Sequence, residues 1–185
     1  MLPIHHSKFY TLGGSKAMSN IMLLYVGAVL FLNGLWLLGQ VSDNEIAVMD
    51  VFAGGSGLVI IFLIVLEGGP ANYLLAAQLL LFAFTYLWVA WNRYNGADGR
   101  GLGWFCLFVA ITALPTGILV LTSANSFWLY WLGLNWIAWA ILWFMFWLLL
   151  VRKWDGARIT GWVTLLEGIF TAWLPAFLLL YGFMS

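Results

Sequence analysis

Of the 185 residues, 64% are apolar and 8% are charged, and the net charge at neutral pH is zero. Because soluble domains have roughly 25% charged residues, this composition excludes an ordinary water-facing surface. The absence of any basic run argues against nucleic acid as a partner, and the single cysteine, Cys106, allows no disulfide within the chain.

The first 18 residues differ in kind from the rest. They contain both histidines and two lysines, and they end at a second methionine, Met18. We interpret residues 1–18 as a leader or tag-like segment; a misassigned start and a short amphipathic arm are the alternatives. The apolar run that begins near Met18 is too long for a signal-peptide core and lacks a cleavage pattern, so we expect a permanent span.

Six apolar stretches follow, each long enough to cross about 30 Å of hydrocarbon. Breaks at charged residues, glycine and proline place them at residues 19–38, 46–66, 71–92, 102–122, 127–151 and 159–183. The connectors between them are short. The sequence therefore predicts an all-α integral membrane protein, a six-transmembrane-helix bundle over residues 19–185.

The basic residues predict the orientation of the bundle, because lysine and arginine are enriched in cytoplasmic loops. The first, third and fifth connectors together contain Arg93, Arg100, Arg152, Lys153 and Arg158. The second and fourth connectors and the C-terminus contain none. We therefore expect the odd-numbered connectors inside and both termini outside.

The fifth span has an aromatic face at membrane depth. At 100° per residue, four indoles project within about 80° of one another: Trp136, Trp139, Trp143 and Trp147. Helix packing or lipid contact would explain such a face. The alternative is the wall of a solute path, where flat rings and indole N–H groups meet a planar polar molecule.

The sixth span contains Glu167, the one carboxylate well inside a membrane segment. A charge at this depth is costly and normally faces a bundle interior or cavity. Thr160, Thr164 and Thr171 project on the same side, although their hydroxyls could instead bond to their own helix. Glu167 could pin neighbouring helices, take part in a pore, or do both. Asp50, about one turn into the second span, is close enough to the inner surface to reach water, and we expect it to be a structural anchor.

Two other helix faces and several glycines complete the pattern. The first span places Leu23, Val26, Leu30 and Asn33 on one face, and the third span does the same with Gln78, Phe82, Tyr86 and Val89. We expect Gly27, Gly34 and the glycines of residues 53–57 to permit close helix packing.

The spans contain no histidine, one cysteine and no acidic pair in helical register. A metal site needs several such ligands, and nucleophilic catalysis needs a base near a serine or cysteine. The sequence therefore predicts neither an enzyme nor a bound metal or cofactor.

An ordered set of motifs resembles the urea/amide channel family, the AmiS/UreI type, which comprises the acid-gated urea channel and the amide permeases. The motifs follow one another with the family's spacing from Ile21 onward: residues 23–27 (LLYVG), 47–49 (AVM), 84–87 (FTYL), 104–110 (WFCLFVA), 136–139 (WIAW) and 166–175 (LEGIFTAWLP). The set covers nearly the whole chain.

The resemblance implies a protomer with its own pore, a homo-hexameric ring and both termini outside. Family pore positions correspond to Leu23, Val26, Val29 and Leu30 of the first span, Phe82 and Tyr86 of the third, Trp136, Trp139, Leu142 and Trp143 of the fifth, and Glu167 of the sixth. It also implies the bacterial cytoplasmic (inner) membrane and a functional link to a cytoplasmic amidase or urease.

The connectors predicted to lie outside depart from the acid-gated branch, since residues 67–70 and 123–126 are short and lack histidine. The chain looks more like the amide branch, and we do not expect gating by mild acid. The sequence favours a passive channel for acetamide, other short aliphatic amides and urea. The alternatives are a proton-coupled amide/urea transporter using Glu167 and a non-transporting sensor or assembly subunit.

Overall fold

The computed structural model of the protein describes residues 14–184. Its helices are α1 (Gly14–Leu37), α2 (Asp43–Glu67), α3 (Pro70–Asn95), α4 (Arg100–Thr122), α5 (Phe127–Leu150), α6 (Ala157–Glu167) and α7 (Leu174–Leu180). A π-helical turn, Gly168–Trp173, joins α6 to α7. These elements provide six helical spans that are long and apolar enough to cross a membrane, which confirms the predicted fold class.

The first span begins earlier than predicted, at Gly14 rather than at residue 19. The N-terminal N–H groups of a helix need acceptors from outside the helix. The carboxylate of Glu67, at the end of α2, accepts the Ser15 N–H at 3.1 Å and so supports the additional turn. Residues 1–13 of the predicted leader lie outside the described residues, and its assignment stays a prediction.

The outer surface of the bundle is apolar, as lipid contact requires. Large side chains on α2 and α4 are more than half exposed, among them Phe52, Phe62, Ile111 and Leu119. The interior contains the polar residues Asn33, Asp50, Asn135 and Thr164 together with the aromatic rings of α3 and α5. Buried polar side chains are thus confined to the interior of the bundle, away from its apolar outer surface.

Close glycine contacts bring α1 against the sixth span. A Cβ atom built on Gly27 would lie 2.5 Å from the Trp173 backbone nitrogen, and one on Gly34 would lie 2.6 Å from the Leu165 Cβ. A Cβ atom built on Gly168, on the sixth span, would likewise lie 2.7 Å from the Phe31 backbone nitrogen. The predicted packing role of Gly27 and Gly34 is confirmed. In the 53–57 run, Gly54 and Gly57 also pack tightly, but Gly55 faces open space.

The sixth span, predicted for residues 159–183, runs from Ala157 to Leu180, but a π-helical turn replaces the regular α-helix at Gly168–Trp173. Pro175 has no N–H, and its ring clashes with the carbonyl group four residues earlier in a regular helix. The turn before it widens, and the Leu174 N–H donates to the Ile169 carbonyl, five residues back. The widening avoids the clash without ending the span.

Side chains from α5 bond to the carbonyls that this defect leaves available. The Phe170 carbonyl would be the next acceptor in the π-helical series, but Pro175 cannot donate to it; Trp131 Nε1 donates instead at 3.2 Å. Asn135 Nδ2 donates to the Thr171 carbonyl at 2.8 Å. The two contacts fix the position of α5 along the sixth span.

The glycine contacts make a direct prediction about stability. Gly27→Ala should lower the free energy of unfolding by about 1–3 kcal/mol, because the added methyl group has backbone rather than flexible side chain beside it. Thermal denaturation of the detergent-solubilised protein would measure the change. Gly55→Ala is the matched control and should be neutral or slightly stabilising, since alanine has the higher helix propensity. Equal losses for both variants would contradict the packing role of Gly27.

Candidate functional site

Two cavities lie in series inside the bundle. The wide cavity, about 480 Å³, lies at the end where α1, α3 and α5 begin, and its lining includes Ser19, Asn20, Gln78 and Ser126. The narrow cavity, about 40 Å³, lies deeper and is lined mainly by apolar and aromatic side chains. It has room for only a few water-sized groups.

Faces of α1 and α3 run from the wide cavity to the narrow one. Along α1, Leu23 and Val26 line the wide cavity, and Leu30 and Asn33 line the narrow one. Along α3, Gln78 lines the wide cavity and Tyr86 and Val89 line the narrow one. The faces predicted from helical periodicity are therefore the faces that line the two cavities.

Phe82 and Trp139 line both cavities and separate them. Their ring centroids are 4.9 Å apart and their planes are nearly perpendicular, at 85°. Phe82 also contacts Trp143, at 4.8 Å, and Trp136, at 5.9 Å. Edge-to-face packing of this kind is favourable for aromatic pairs. One phenyl ring from α3 thus packs against three indoles of α5 at the boundary of the cavities.

Two of the three indole N–H groups at this boundary, those of Trp139 and Trp143, already have acceptors. Trp139 Nε1 donates to the Thr171 hydroxyl at 2.8 Å, and that hydroxyl donates to the Glu167 carbonyl at 2.6 Å. Trp143 Nε1 donates to the Thr85 hydroxyl at 3.2 Å. The rings are therefore held in orientation and present their faces and edges to the cavities. The expectation that these two N–H groups meet a solute is not supported.

The threonines of the sixth span bond to their own helix, which was the alternative explanation of their alignment. The hydroxyls of Thr160, Thr164 and Thr171 donate to the carbonyls four residues earlier, at 3.0, 2.7 and 2.6 Å. Thr164 still lines the narrow cavity. Thr171 has a second function, as the acceptor that orients Trp139.

Nine of the eleven predicted path residues line a cavity. Leu23, Val26 and Trp136 line the wide cavity; Leu30, Tyr86, Leu142 and Trp143 line the narrow cavity; Phe82 and Trp139 line both. Val29 is fully buried and lines neither of them, although its carbonyl accepts a hydrogen bond from Asn33. Trp147, predicted on the same aromatic face, instead packs beside Trp104 and Phe144.

Glu167 is the other predicted residue that lines neither cavity. Its Oε2 atom is buried and has no hydrogen-bond partner among the described residues. The atom of Glu167 that supports the aromatic boundary is its backbone carbonyl, through Thr171. An orienting role for the carboxylate itself is thus not found, because the hydroxyl beside it already bonds to the main chain.

Asp50 is more deeply placed than the sequence suggested. It is completely buried and accepts a hydrogen bond from Asn33 Nδ2 at 2.9 Å, so it does not reach water. This contact joins α1 to α2 and agrees with the predicted anchoring role. Sequence reasoning assigned Asn33 to the correct face but gave it no function, because its partner lies 17 residues away on another helix.

No cluster of histidine, cysteine, aspartate or glutamate that could hold a metal ion is found within residues 14–184. The polar atoms beside the narrow cavity are amide, hydroxyl and thiol groups of neutral side chains. This donor set suits a neutral, hydrogen-bonding solute rather than a cation.

Six spans around two cavities in series define a multi-pass membrane transport protein. A model of the AmiS/UreI family of transporters matches residues 18–183. A candidate transporter of amidate substrates from Mycolicibacterium smegmatis is 44% identical over 170 residues, covering 89% of this chain and 78% of that protein. The acid-activated urea channel of Helicobacter pylori is 33% identical, covering 88% of this chain and 97% of the channel.

The fold agrees with these sequence relationships. The crystal structure of the Helicobacter pylori urea channel superposes with a TM-score of 0.80 at 34% identity, covering 90% of this chain and 99% of the channel. The chain belongs to the AmiS/UreI family of transporters, and it is more similar to the amide transporter than to the urea channel. The family resemblance read from the sequence is confirmed, and so is the conclusion that the protein is not an enzyme.

The hydrogen bond that orients Trp139 can be tested by a double-mutant cycle. Thr171→Val should lower the free energy of unfolding by about 1–3 kcal/mol, because it leaves a buried indole N–H without an acceptor. In a Trp139→Phe background the same change should cost about 1 kcal/mol less, since no N–H remains to be left unpaired. Thermal unfolding of the four proteins measures the coupling.

Thr112→Val is the control for this cycle. Its hydroxyl also donates to a carbonyl four residues earlier, that of Phe108 at 3.0 Å, but no indole donates to it. It should show no coupling to Trp139→Phe. Additive costs for Thr171→Val and Trp139→Phe would show that the indole does not depend on the hydroxyl.

Proposed function

We propose that the protein is a passive membrane channel for small neutral amides, namely acetamide, other short aliphatic amides and urea. The observation that supports this most strongly is the arrangement of two cavities in series, separated by Phe82 and Trp139, with uncharged side chains around the narrow one. The names of the relatives indicate the same class of solute.

Selection against ions follows from the lining of the narrow cavity. Leu30, Val89, Leu102 and Leu142 offer no ligands to replace the hydration shell of an ion. A desolvated charge would therefore meet a large barrier, whereas a neutral amide loses less hydration. The aliphatic and aromatic walls select for neutrality and small cross-section.

A neutral amide still needs some compensation for the water it loses. The Tyr86 hydroxyl lies beside the narrow cavity, and no hydrogen bond among the described residues uses it. It is a phenolic donor that can bind the carbonyl oxygen of a urea or amide. The indoles whose N–H groups are already hydrogen-bonded provide flat apolar surfaces against which the plane of the solute can lie.

The alternative is a proton-coupled transporter that uses Glu167. Such relays run through several ionisable groups. The described residues that line the narrow cavity include no acid, histidine or lysine, Lys16 is the charged residue among those that line the wide cavity, and Glu167 lines neither. These observations favour the passive channel.

The assembly and the location of the protein follow from the same family relationship as expectations. We place it in the bacterial cytoplasmic (inner) membrane with both termini outside, as a homo-hexameric ring in which each protomer has its own path. The exposed apolar faces of α2 and α4 are suitable for contact with lipid or neighbouring protomers. A cytoplasmic amidase or urease would consume the solute after entry.

The mode of transport predicts a simple result in proteoliposomes. Acetamide should equilibrate across the membrane, and its rate and final level should be unaffected by an imposed pH gradient. Radiolabelled uptake with and without a protonophore measures this. Accumulation above the external concentration, abolished by the protonophore, would exclude the passive channel.

The aromatic boundary predicts a change in selectivity. Trp139→Ala should widen the constriction and raise glycerol flux relative to acetamide flux by about tenfold, equivalent to about 1.4 kcal/mol of barrier. Stopped-flow swelling of liposomes at matched protein density gives both rates. Trp162→Ala is the control, because Trp162 is a half-exposed indole on the outside of α6. Unchanged selectivity in Trp139→Ala would place the path elsewhere.

A further inference from the structure

Asn33 differs from the other polar side chains beside the narrow cavity in how its hydrogen bonds are used. Its Nδ2 group donates to the Val29 carbonyl at 3.0 Å and to Asp50 Oδ1 at 2.9 Å. An amide nitrogen has two hydrogens, so both are used. The Val29 carbonyl can only accept a hydrogen bond, so it decides which end of the carboxamide is the nitrogen.

The oxygen of the Asn33 carboxamide is consequently the end left for a solute. Asn33 lines the narrow cavity, and no donor among the described residues bonds to its Oδ1. This oxygen is not among the buried atoms that lack both a partner and accessible surface, whereas Asp50 Oδ2 is. The cavity therefore has an acceptor on α1 in addition to the Tyr86 hydroxyl on α3.

The positions of Asp50 and of the Val29 carbonyl explain why the Asn33 carboxamide does not rotate so as to exchange its oxygen and nitrogen. Asp50 is completely buried on α2, and its Oδ1 atom accepts from Asn33 Nδ2, while the Val29 carbonyl, as a main-chain oxygen, can only accept. Rotation of the Asn33 carboxamide would replace the hydrogen bond to the Val29 carbonyl by an oxygen–oxygen contact and would take Nδ2 away from Asp50 Oδ1. A buried polar group without its partner is expensive, so one orientation is strongly preferred.

We propose that Asn33 is a selectivity residue that accepts a hydrogen bond from the N–H group of the permeating amide, and that Asp50 is the positioning residue that fixes it as an acceptor. This deepens the proposed function and rests on it. The preferred solutes are those with an N–H donor; molecules of equal size and no N–H donor leave Asn33 Oδ1 without a partner in the narrow cavity.

Three isomeric amides separate this effect from size. Propionamide, N-methylacetamide and N,N-dimethylformamide have the same atoms but different numbers of N–H donors. The measurement is the flux of each into proteoliposomes by stopped-flow swelling, corrected for protein-free liposomes. The wild type should favour propionamide over N,N-dimethylformamide, with N-methylacetamide between them.

Variants of the two residues distinguish hydrogen-bond acceptance by Asn33 from the positioning of Asn33 by Asp50. Asn33→Leu should lower the flux ratio of propionamide to N,N-dimethylformamide by about fivefold, the effect of one lost hydrogen bond. Asp50→Leu should lower it similarly, because the carboxamide is no longer held. Asp50→Asn keeps an acceptor for Asn33 Nδ2 and should retain the wild-type ratio, which a general need for the charge would not predict.

A folding defect is separated from a selectivity defect by two further proteins. The Asn33→Leu, Asp50→Leu double variant replaces both polar partners by apolar groups, so it should fold at least as well as Asp50→Leu, and its ratio should fall no further than in either single variant. Asn95→Leu is the matched control: Asn95 also donates to a carbonyl four residues earlier, that of Trp91, but on an exposed surface. Its ratio should equal that of the wild type.

The outcomes separate this inference from the proposed function. No amide flux above protein-free liposomes in the wild type would overturn the channel itself. Wild-type flux with an unchanged isomer ratio in Asn33→Leu would overturn the selectivity role alone. Loss of the ratio in Asp50→Asn to the level of Asp50→Leu, in a protein with normal thermal stability, would overturn the positioning role.

Discussion

The missing N–H of Pro175 is the constraint on which the aromatic boundary depends. It produces the π-helical turn before α7 and leaves main-chain carbonyls to be paired from another helix. Trp131 and Asn135 of α5 donate to these carbonyls, and one turn later the Trp139 indole reaches the Thr171 hydroxyl. In a hydrocarbon environment such contacts have little competition from water, so they fix the register of the two helices.

This register determines which surfaces face the path. Once Trp139 is held against the sixth span, Trp136 and Trp143 fall on either side of Phe82, and the four rings close the space between the two cavities. The glycine contacts of α1 also help to determine which side chains line the cavities, because they bring Leu30 and Asn33 close to this aromatic group. The position of the constriction is therefore set by backbone contacts at a distance from it.

The sequence predicted the features that have a period and failed at those that depend on contact between helices. Hydropathy and the charge distribution were sufficient for six spans, and the 3.6-residue repeat was sufficient for the path faces of α1 and α3. Gly27 and Gly34 could be assigned to packing because small residues have few other uses on such a face. The family resemblance supplied Leu142, which periodicity alone did not single out.

The failures have a common physical origin. The start of α1 depends on a hydrogen bond to Glu67, and the orientation of Asn33 depends on one to Asp50. The Trp139 indole N–H is occupied because it donates to Thr171. Each partner lies on a different helix, and no spacing along the chain indicates which side chains will meet. Glu167 illustrates the point in reverse: its depth suggested a role for its carboxylate, but in the folded chain its backbone carbonyl makes the relevant contact.

The described residues that line the narrow cavity have no fixed charge, and this has a consequence for the energetics of the cell. Movement of a neutral amide through such a path transfers no net charge, so the flux would generate no electrical current and would be neither driven nor opposed by the membrane potential. A barrier to ions also leaves the gradients of protons and other cations intact while the path is open. A cell with the proposed channel could therefore keep it open at all times without dissipating the membrane potential.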